Sequence, residues 1–586
     1  MGHSGQTRAR RALAALVAGA LLAASCSDDD SAQDDATVEV GLGGCAERPL
    51  DCNSGERAGD GTVTWLLPGA WSTYNVLRVE GEDNLTAAAL AGTAPWIGDF
   101  APDGTWTWNR DLLAADPQVT STDPQTMVYE LRPEAVWSDG TPITVDDFRY
   151  TWFHQSGRED QCTGCNPKYT VGWEDVASVE GSDDGRTVTI TLQDEAKNAE
   201  WFALFEPSPY PAHAATAAGF DWRTPEGMGK SSEHFRDTVP TWSGGPYLID
   251  SVVAGERVVM VPNPKWYGEV QPTLERVVKE VVPTTGWALA VQNGELDGGT
   301  PRFEPDAYDE LRQLDGVSTS IAAGDTWEHL DLNLRTPALR DVALRSAIFT
   351  AIDTKDVVKR IFGDVEPSLR TNHFFPSSSP HHEDLLEETG FGTGDVAAAR
   401  KLLTDAGYTG AEAGQRLTKD GVEVPALRFA FTSENTTRST FVELAQSYLA
   451  ELGIAVTPQP GPGATFAQTL SGGDYDLTVW GLSSGPLFTN APSLFFGSES
   501  PVNFNGLNDP AIDAAIADVL RHTDVGDAAT AANAVDELLV GQAFNLPLWD
   551  SPAFAFASDR LVNVRDDPSS YVRAMYEMQA WGLRPG

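Results

Sequence analysis

The chain has 586 residues, of which 41% are hydrophobic and 21% charged, enough apolar material for one or more large cores and too much for a disordered tail. Asp and Glu number 85 against 40 Lys and Arg, a net charge of −45, which repels phosphate backbones and excludes nucleic acid as a partner. The length points to two or three structural units, and 17 tryptophans suit aromatic-lined small-molecule surfaces as well as cores.

Arg8, Arg10 and Arg11 precede an apolar run from Ala12 to Ala24, too short for the roughly 20 residues that span a bilayer and built like a secretory signal. It ends in Leu22-Ala23-Ala24-Ser25-Cys26, which resembles the lipobox where a bacterial signal peptidase cuts and the new N-terminal cysteine is lipidated, although Ala23 stands where leucine is usual. The expectation is a signal peptide over 1–25 and a lipidated Cys26 on an acidic flexible tether over 26–60. The remaining chain would then stand at the extracytoplasmic face of a bacterial cell membrane. Four further cysteines form two close pairs, Cys45 with Cys52 and Cys162 with Cys165. In an exported chain the spacing predicts two local disulfides; a four-thiolate zinc site or a redox Cys-Thr-Gly-Cys motif is the alternative.

In the folded part, Thr62–Leu67 alternates like a strand and stops at Pro68-Gly69, and Arg186–Leu192 does the same. Asp341 can cap a helix through Leu344, Ile348 and Ile352. Thr354 can start another through Val358 and Ile361, closed by Gly363. Asp395 to Ala406 reads as a helix ended by Gly407, and Phe441 to Leu452 as one followed by Gly453 and a strand, Ile454–Val456. Strands and helices interleaved in this way indicate an α/β fold.

The run Val128-Tyr-Glu-Leu-Arg-Pro-Glu-Ala-Val-Trp-Ser-Asp-Gly-Thr-Pro-Ile-Thr-Val-Asp-Asp-Phe148 closely resembles the signature of the peptide/nickel class of solute-binding proteins, bacterial solute-binding family 5, the extracytoplasmic receptors of ABC importers. Read physically, a strand enters a Ser138-Asp139-Gly140-Thr141 turn, and Thr144 caps a helix whose Asp146 and Asp147 suit its positive end. Further landmarks follow in order: Ser243-Gly-Gly-Pro-Tyr247, Val261–Gly268, Gly294-Glu-Leu-Asp297, His329-Leu-Asp-Leu-Asn333, Asp341–Asp353, Gly473-Asp-Tyr-Asp-Leu477 and Asn545-Leu-Pro-Leu548. The resemblance covers about residues 61 to 586. It implies two lobes of the periplasmic-binding-protein type II fold, joined by two hinge crossings. The first lobe would span 61–325 with an inserted subdomain at about 86–205, the second 326–545, and 546–586 would return to the first. It also implies a monomer without cofactor that encloses an oligopeptide or related small polar solute and passes it to permease subunits in the membrane.

In peptide-binding relatives an aspartate after the Gly-Asp-Tyr-Asp strand pairs with the ligand's α-ammonium. Here Trp480 is followed by Gly481, Leu482, Ser483, Ser484, Gly485 and Pro486, with Gly485 where the acid aligns and Leu482 where relatives often carry tryptophan. Neutral hydroxyls and backbone groups suit an uncharged polar solute, an oligosaccharide among them, or a peptide with a blocked terminus. Trp71 and Tyr74, on the turn after the first strand, match the segment by which the first lobe meets ligand. The candidate ligand-binding residues are therefore Trp71, Tyr74, Trp480, Gly481, Leu482, Ser483 and Ser484, and no residue is read as catalytic. Gly481-Leu-Ser483-Ser-Gly485 also matches a nucleophile elbow with His522 as a conceivable base, a secreted serine hydrolase being the remote alternative. The second proline, Pro492, argues against the helix an elbow requires. His381-His382-Glu383 is expected to be a solvated surface cluster, and without an Asp-x-Asp-x-Asp-Gly loop no calcium or other metal site is expected.

Overall fold

The computed structural model describes residues 40–585 except 46–47, 82–83, 103, 169, 206–207, 484 and 501. The signal segment, Cys26, the first part of the tether and Ser484 lie outside the described residues. Among the described residues no helix is long and apolar enough to cross a membrane.

A ten-stranded sheet organises the chain: β1 (Thr62–Leu66), β2 (Tyr247–Val253), β3 (Arg257–Pro262), β4 (Arg276–Glu280), β5 (Gly298–Gly299), β6 (Val317–Leu332), β7 (Leu427–Thr432), β8 (Val456–Gly461), β9 (Leu477–Ser483) and β10 (Asn545–Ser558). Their order is β8-β7-β9-β6-β10-β5-β1-β4-β3-β2. The long antiparallel pair β6 and β10 belongs to both halves. Its register shifts between Ala323 and Trp327, opposite Pro552 and Asp550, so the ladder is interrupted where the chain passes from one lobe to the other. Gly324 sits in that break because a Cβ there would lie 2.4 Å from the Ser551 carbonyl oxygen. The four-stranded sheet of Gln118–Thr122, Gln125–Glu130, Thr187–Leu192 and Val176–Gly181 forms the inserted subdomain on the first lobe.

Local chemistry places these elements much as expected. In α1 (Val145–Gln155) Thr144 and Asp147 close a capping box, and Asp139 accepts from the Thr141 N–H at the turn before it. Helix α2 (Val342–Ala351) is capped by Asp341 and α4 (Val396–Asp405) by Asp395. Three boundaries differ from the sequence reading. The cap of α3 (Thr354–Phe362) is Asp353, whose Oδ1 accepts from Asp356 N, and the Thr354 hydroxyl instead bonds the Gly392 carbonyl. Helix α5 (Thr436–Ala450) begins before Phe441 because Asn435 caps it, and the strand expected at Ile454 starts at Val456. The second-lobe core joins Leu330, Leu332, Phe429, Leu477, Val479 and the apolar faces of α2 to α5. Disulfides join Cys45 to Cys52 and Cys162 to Cys165.

Several landmark residues are explained by packing. In Ser243–Tyr247, a Cβ on Gly245 would lie 2.4 Å from the Gly92 carbonyl oxygen, so backbone meets backbone. The Asn263 amide donates to the Gly245 carbonyl at 2.8 Å, which ties the next landmark to the same turn.

Where the C-terminal segment meets the strand Gly98–Phe100, the Ser570 hydroxyl donates to Asp99 at 2.7 Å and the Ser569 N–H to Asp567 at 2.9 Å. Burial raises the Asp99 carboxyl to about 6 and that of Asp567 to about 7, with the neighbouring acids adding to Asp567. Both groups keep a proton in the folded state that the unfolded chain has released. Their contribution is therefore full below about pH 4 and is lost as pH rises through 6 to 7, by roughly 1.4 kcal/mol per pH unit for each group. His154, held neutral by burial down to about 3, opposes this below about pH 6.5. The expected result is a higher melting temperature at about pH 5.5 than at about 7.5, with the gain reduced in Asp567→Asn. Melts that fall on acidification over this range, or an Asp567→Asn profile matching the parent, refute it.

Candidate functional site

The registers show which edges face the crossing. Strands β7, β8 and β9 run parallel, and β9 ends with Ser483 opposite Thr326, beside the break in β6. Strands β1, β4 and β5 are parallel as well, and passing from Gly298 to Gly299 moves from Ala557 to Phe556 on β10, again toward the crossing. The carboxyl ends of both lobes' parallel strands thus converge on one cleft, the place where open α/β sheets bind ligands.

On the second-lobe side, Trp480 is half-buried. Its indole N–H donates to Asp331 Oδ2 at 2.7 Å, and its ring lies 5.0 Å from His329 and 5.6 Å from Phe504. Leu482 is buried and Ser483 exposed. Gly481 backs onto an ion pair that no local motif announces: Arg438 Nε and Nη2 donate to Glu328 at 2.9 and 2.8 Å, and Nη1 to the Thr432 hydroxyl at 3.1 Å. On the first-lobe side, Trp71 is 5% exposed and packs among Val63, Trp65 and Trp581, while Tyr74 is partly buried against the same core. Burial raises the Tyr74 phenol, offset in part by a hydrogen bond from Trp71. The turn is fixed by Asn75, whose amide donates to the Ser232 carbonyl at 3.1 Å and accepts from Leu77 N at 3.0 Å. Among the described residues no hydrogen bond or ring contact joins Trp71 or Tyr74 to 480–483.

The landmarks of the second lobe hydrogen-bond one another in two groups. Asp331 receives Trp480 and the Asn545 amide and lies 3.0 Å from His329 Nδ1. The Asn333 amide donates to the Gly473 and Tyr475 carbonyls. Alternation along His329-Leu-Asp-Leu-Asn333 puts these three polar side chains on one face, and that was the available cue.

Among the described residues the hydrolase geometry is absent. The described residues after Ser483 carry no helix until Ala491–Phe496, so the strand–turn–helix of a nucleophile elbow is missing among them, and His522, in the loop past the helix Pro510–Val519, lies 3.8 Å from Asp518. The expectation of a solvated His381–Glu383 cluster is corrected for the two histidines, which are half-buried. The His382 ring lies 3.0 Å from the Thr371 hydroxyl, and the His381 ring packs on Phe375 and Phe488. Among the described residues no group of three or more His, Cys, Asp or Glu could hold a metal.

The model of bacterial extracellular solute-binding proteins, family 5, middle region, matches residues 110–504. The chain belongs to this family. Family 5 relatives include the oligopeptide-binding protein OppA of Mycobacterium tuberculosis, 28% identical over 499 residues, covering 84% of this chain and 80% of that protein. An uncharacterized lipoprotein of the same organism is 24% identical over 564 residues, covering 89% and 93%. Among solved structures, the periplasmic EDTA-binding protein EppA superposes with a TM-score of 0.83 at 30% identity, covering 92% of this chain and 99% of that one. The two-lobed architecture is therefore that of family 5 solute-binding proteins, and the family is one of receptors, not enzymes.

Proposed function

We propose that this family 5 protein is the lipid-anchored receptor of an ABC importer, capturing an oligopeptide or related small polar solute between its lobes and delivering it to permease subunits at the extracytoplasmic face of the membrane. The observation that carries this reading is the convergence of both lobes' carboxyl strand ends on one cleft beside an interrupted two-strand crossing, the geometry of hinge closure. The division into 61–325, 326–545 and 546–586 gives the bodies that move, with the second carried on to Asp550 because the crossing lies at Asp550–Pro552. The oligopeptide named for the OppA relative supports the solute class, and the lipoprotein relative supports the anchor on Cys26. In the site, Ser483, Ser484 and the Gly481 and Leu482 backbone offer neutral hydrogen bonds, Trp480 and Tyr74 offer aromatic surface, and Trp71 orients Tyr74.

Calorimetric titration with one pentapeptide in N-acetylated and free-amine forms tests this. The acetylated form is expected to bind more tightly, and Ser483→Ala with Ser484→Ala to weaken it about tenfold, at about 1 kcal/mol or less for each hydrogen bond removed. A Cβ on Gly485 meets nothing within 4 Å, so Gly485→Asp fits and should shift preference toward the free amine. A neutral oligosaccharide and magnesium–EDTA, the latter after the EppA name, serve as further titrants. Binding of either of these with none of the peptides refutes the peptide reading, and an unchanged double-serine variant places the site elsewhere.

A further inference from the structure

The inserted subdomain reaches the second lobe at one carboxylate. Glu200, just before the turn Trp201–Ala203, is 7% exposed. Its Oε1 accepts from the Phe488 N–H at 2.8 Å, and Oε2 from the Thr489 N–H at 3.1 Å and the Thr489 hydroxyl at 2.5 Å. Beside it, Ala199 is buried in a cluster otherwise built from second-lobe residues, including Phe374, Phe375, Phe488 and Phe496. Among the described residues these are the side-chain hydrogen bonds that join the inserted subdomain to the second lobe. No step of the proposed capture uses them.

A buried carboxylate is costly unless its acceptor sites are filled, and a buried N–H is costly unless it has an acceptor. Glu200 and the Phe488–Thr489 backbone satisfy each other only while the lobes are together. When the lobes part about the break at Ala323–Trp327, both sides return to water. The contact thus belongs to one state of the hinge and not to the other, which is the condition for setting a population. We infer that Glu200 is a closure latch, a positioning residue that holds the inserted subdomain on the second lobe and so fixes the fraction of receptor in the closed state. This rests on the receptor reading above and deepens it. Solute affinity scales with the fraction of competent receptor, so the latch would tune capture without touching solute. Adding solute contacts alone cannot reproduce this effect.

The test uses the full chain without solute, by small-angle scattering and by hydrogen exchange at individual amides. Glu200→Gln keeps the shape but turns one acceptor into an N–H donor facing a donor. It should speed exchange at Phe488 and Thr489 by roughly tenfold and move the scattering toward the open form, with exchange in β1 and β9 unchanged. Thr489→Ala should give a smaller change and Thr489→Ser should restore the parent behaviour. Thr489→Ala also keeps the test decisive if the Gln variant fails to fold. Protected Phe488 and Thr489 amides in Glu200→Gln, or faster exchange throughout both lobes, would overturn the latch. Because no solute is present, a failure to bind peptide leaves this result standing, and a failed latch leaves the peptide titration standing.

Discussion

Asp550→Ala is expected to destabilise the second lobe by about 3–5 kcal/mol, the cost of leaving one charge of a buried pair without its partner. Asp550 is 0% and Arg370 1% exposed. Arg370 Nη1 donates to Asp550 Oδ1 at 2.9 Å and Nε to the Asn372 carbonyl at 2.6 Å, and the guanidinium stands 5.1 Å from the Trp327 ring centroid. Burial pushes the Asp550 carboxyl up and the Arg370 guanidinium down, against their mutual attraction, so each ion offsets part of the other's cost of burial. Asp550 pairs with Trp327 at the last regular step of β10 before the crossing, and the missing charge would be felt where the hinge begins. Replacing both, as Arg370→Met with Asp550→Leu, should recover most of the stability, because apolar groups of similar volume need no countercharge. Chemical unfolding of the three proteins decides it. A single variant within 1 kcal/mol of the parent, or a double variant no better than the single, would show that the pair carries no such load.

The sequence was legible wherever a signal is local. Thr144 and Asp147 lie three positions apart and close one cap; Asp341 and Asp395 each accept from a backbone N–H within their own first turn. The cysteine pairs are seven and three positions apart and close within their own loops. The landmarks gave the family and with it the two lobes, because such runs specify turns and backbone approaches, as Gly245 against Gly92 shows. Long-range pairing was not legible. Glu328 and Arg438 lie 110 positions apart and Glu200 and Thr489 lie 289 apart, and each residue alone reads as a solvated surface charge. Trp480 illustrates the intermediate case. It was expected on a loop that follows the strand, whereas β9 runs on to Ser483 and includes it, and the commitment of its indole N–H to Asp331 depends on β6 lying alongside, which no spacing within β9 could tell.

Gly481 was picked out as a ligand-binding position; its surroundings give it a second task with a large expected effect. A Cβ there would lie 3.0 Å from Thr326 Cγ2, 3.1 Å from Glu328 Oε1 and 3.3 Å from Arg438 Nη2. The Glu328–Arg438 pair therefore fits against the strand because β9 has no side chain at this point. The pair is nearly sealed, with side chains 6% and 15% exposed, and it sits at the carboxyl edge that faces the cleft. Gly481→Val should push the ions apart, at about 1–3 kcal/mol for the overpacking and more if a charge is left unpaired. Displacing Arg438 would also disturb the Thr432 hydroxyl at the end of β7, so binding of the acetylated pentapeptide should fall about tenfold or more. Gly481→Ala should lie between the two. The decisive comparison is a cycle in which Gly481→Val is repeated in a chain carrying Glu328→Gln and Arg438→Met. If the glycine acts by making room for the pair, the valine costs much less once the pair is gone, because contacting residues couple. Additive losses in stability and affinity would mean that Gly481 serves the solute through its backbone alone, and the ion pair would drop out of the site.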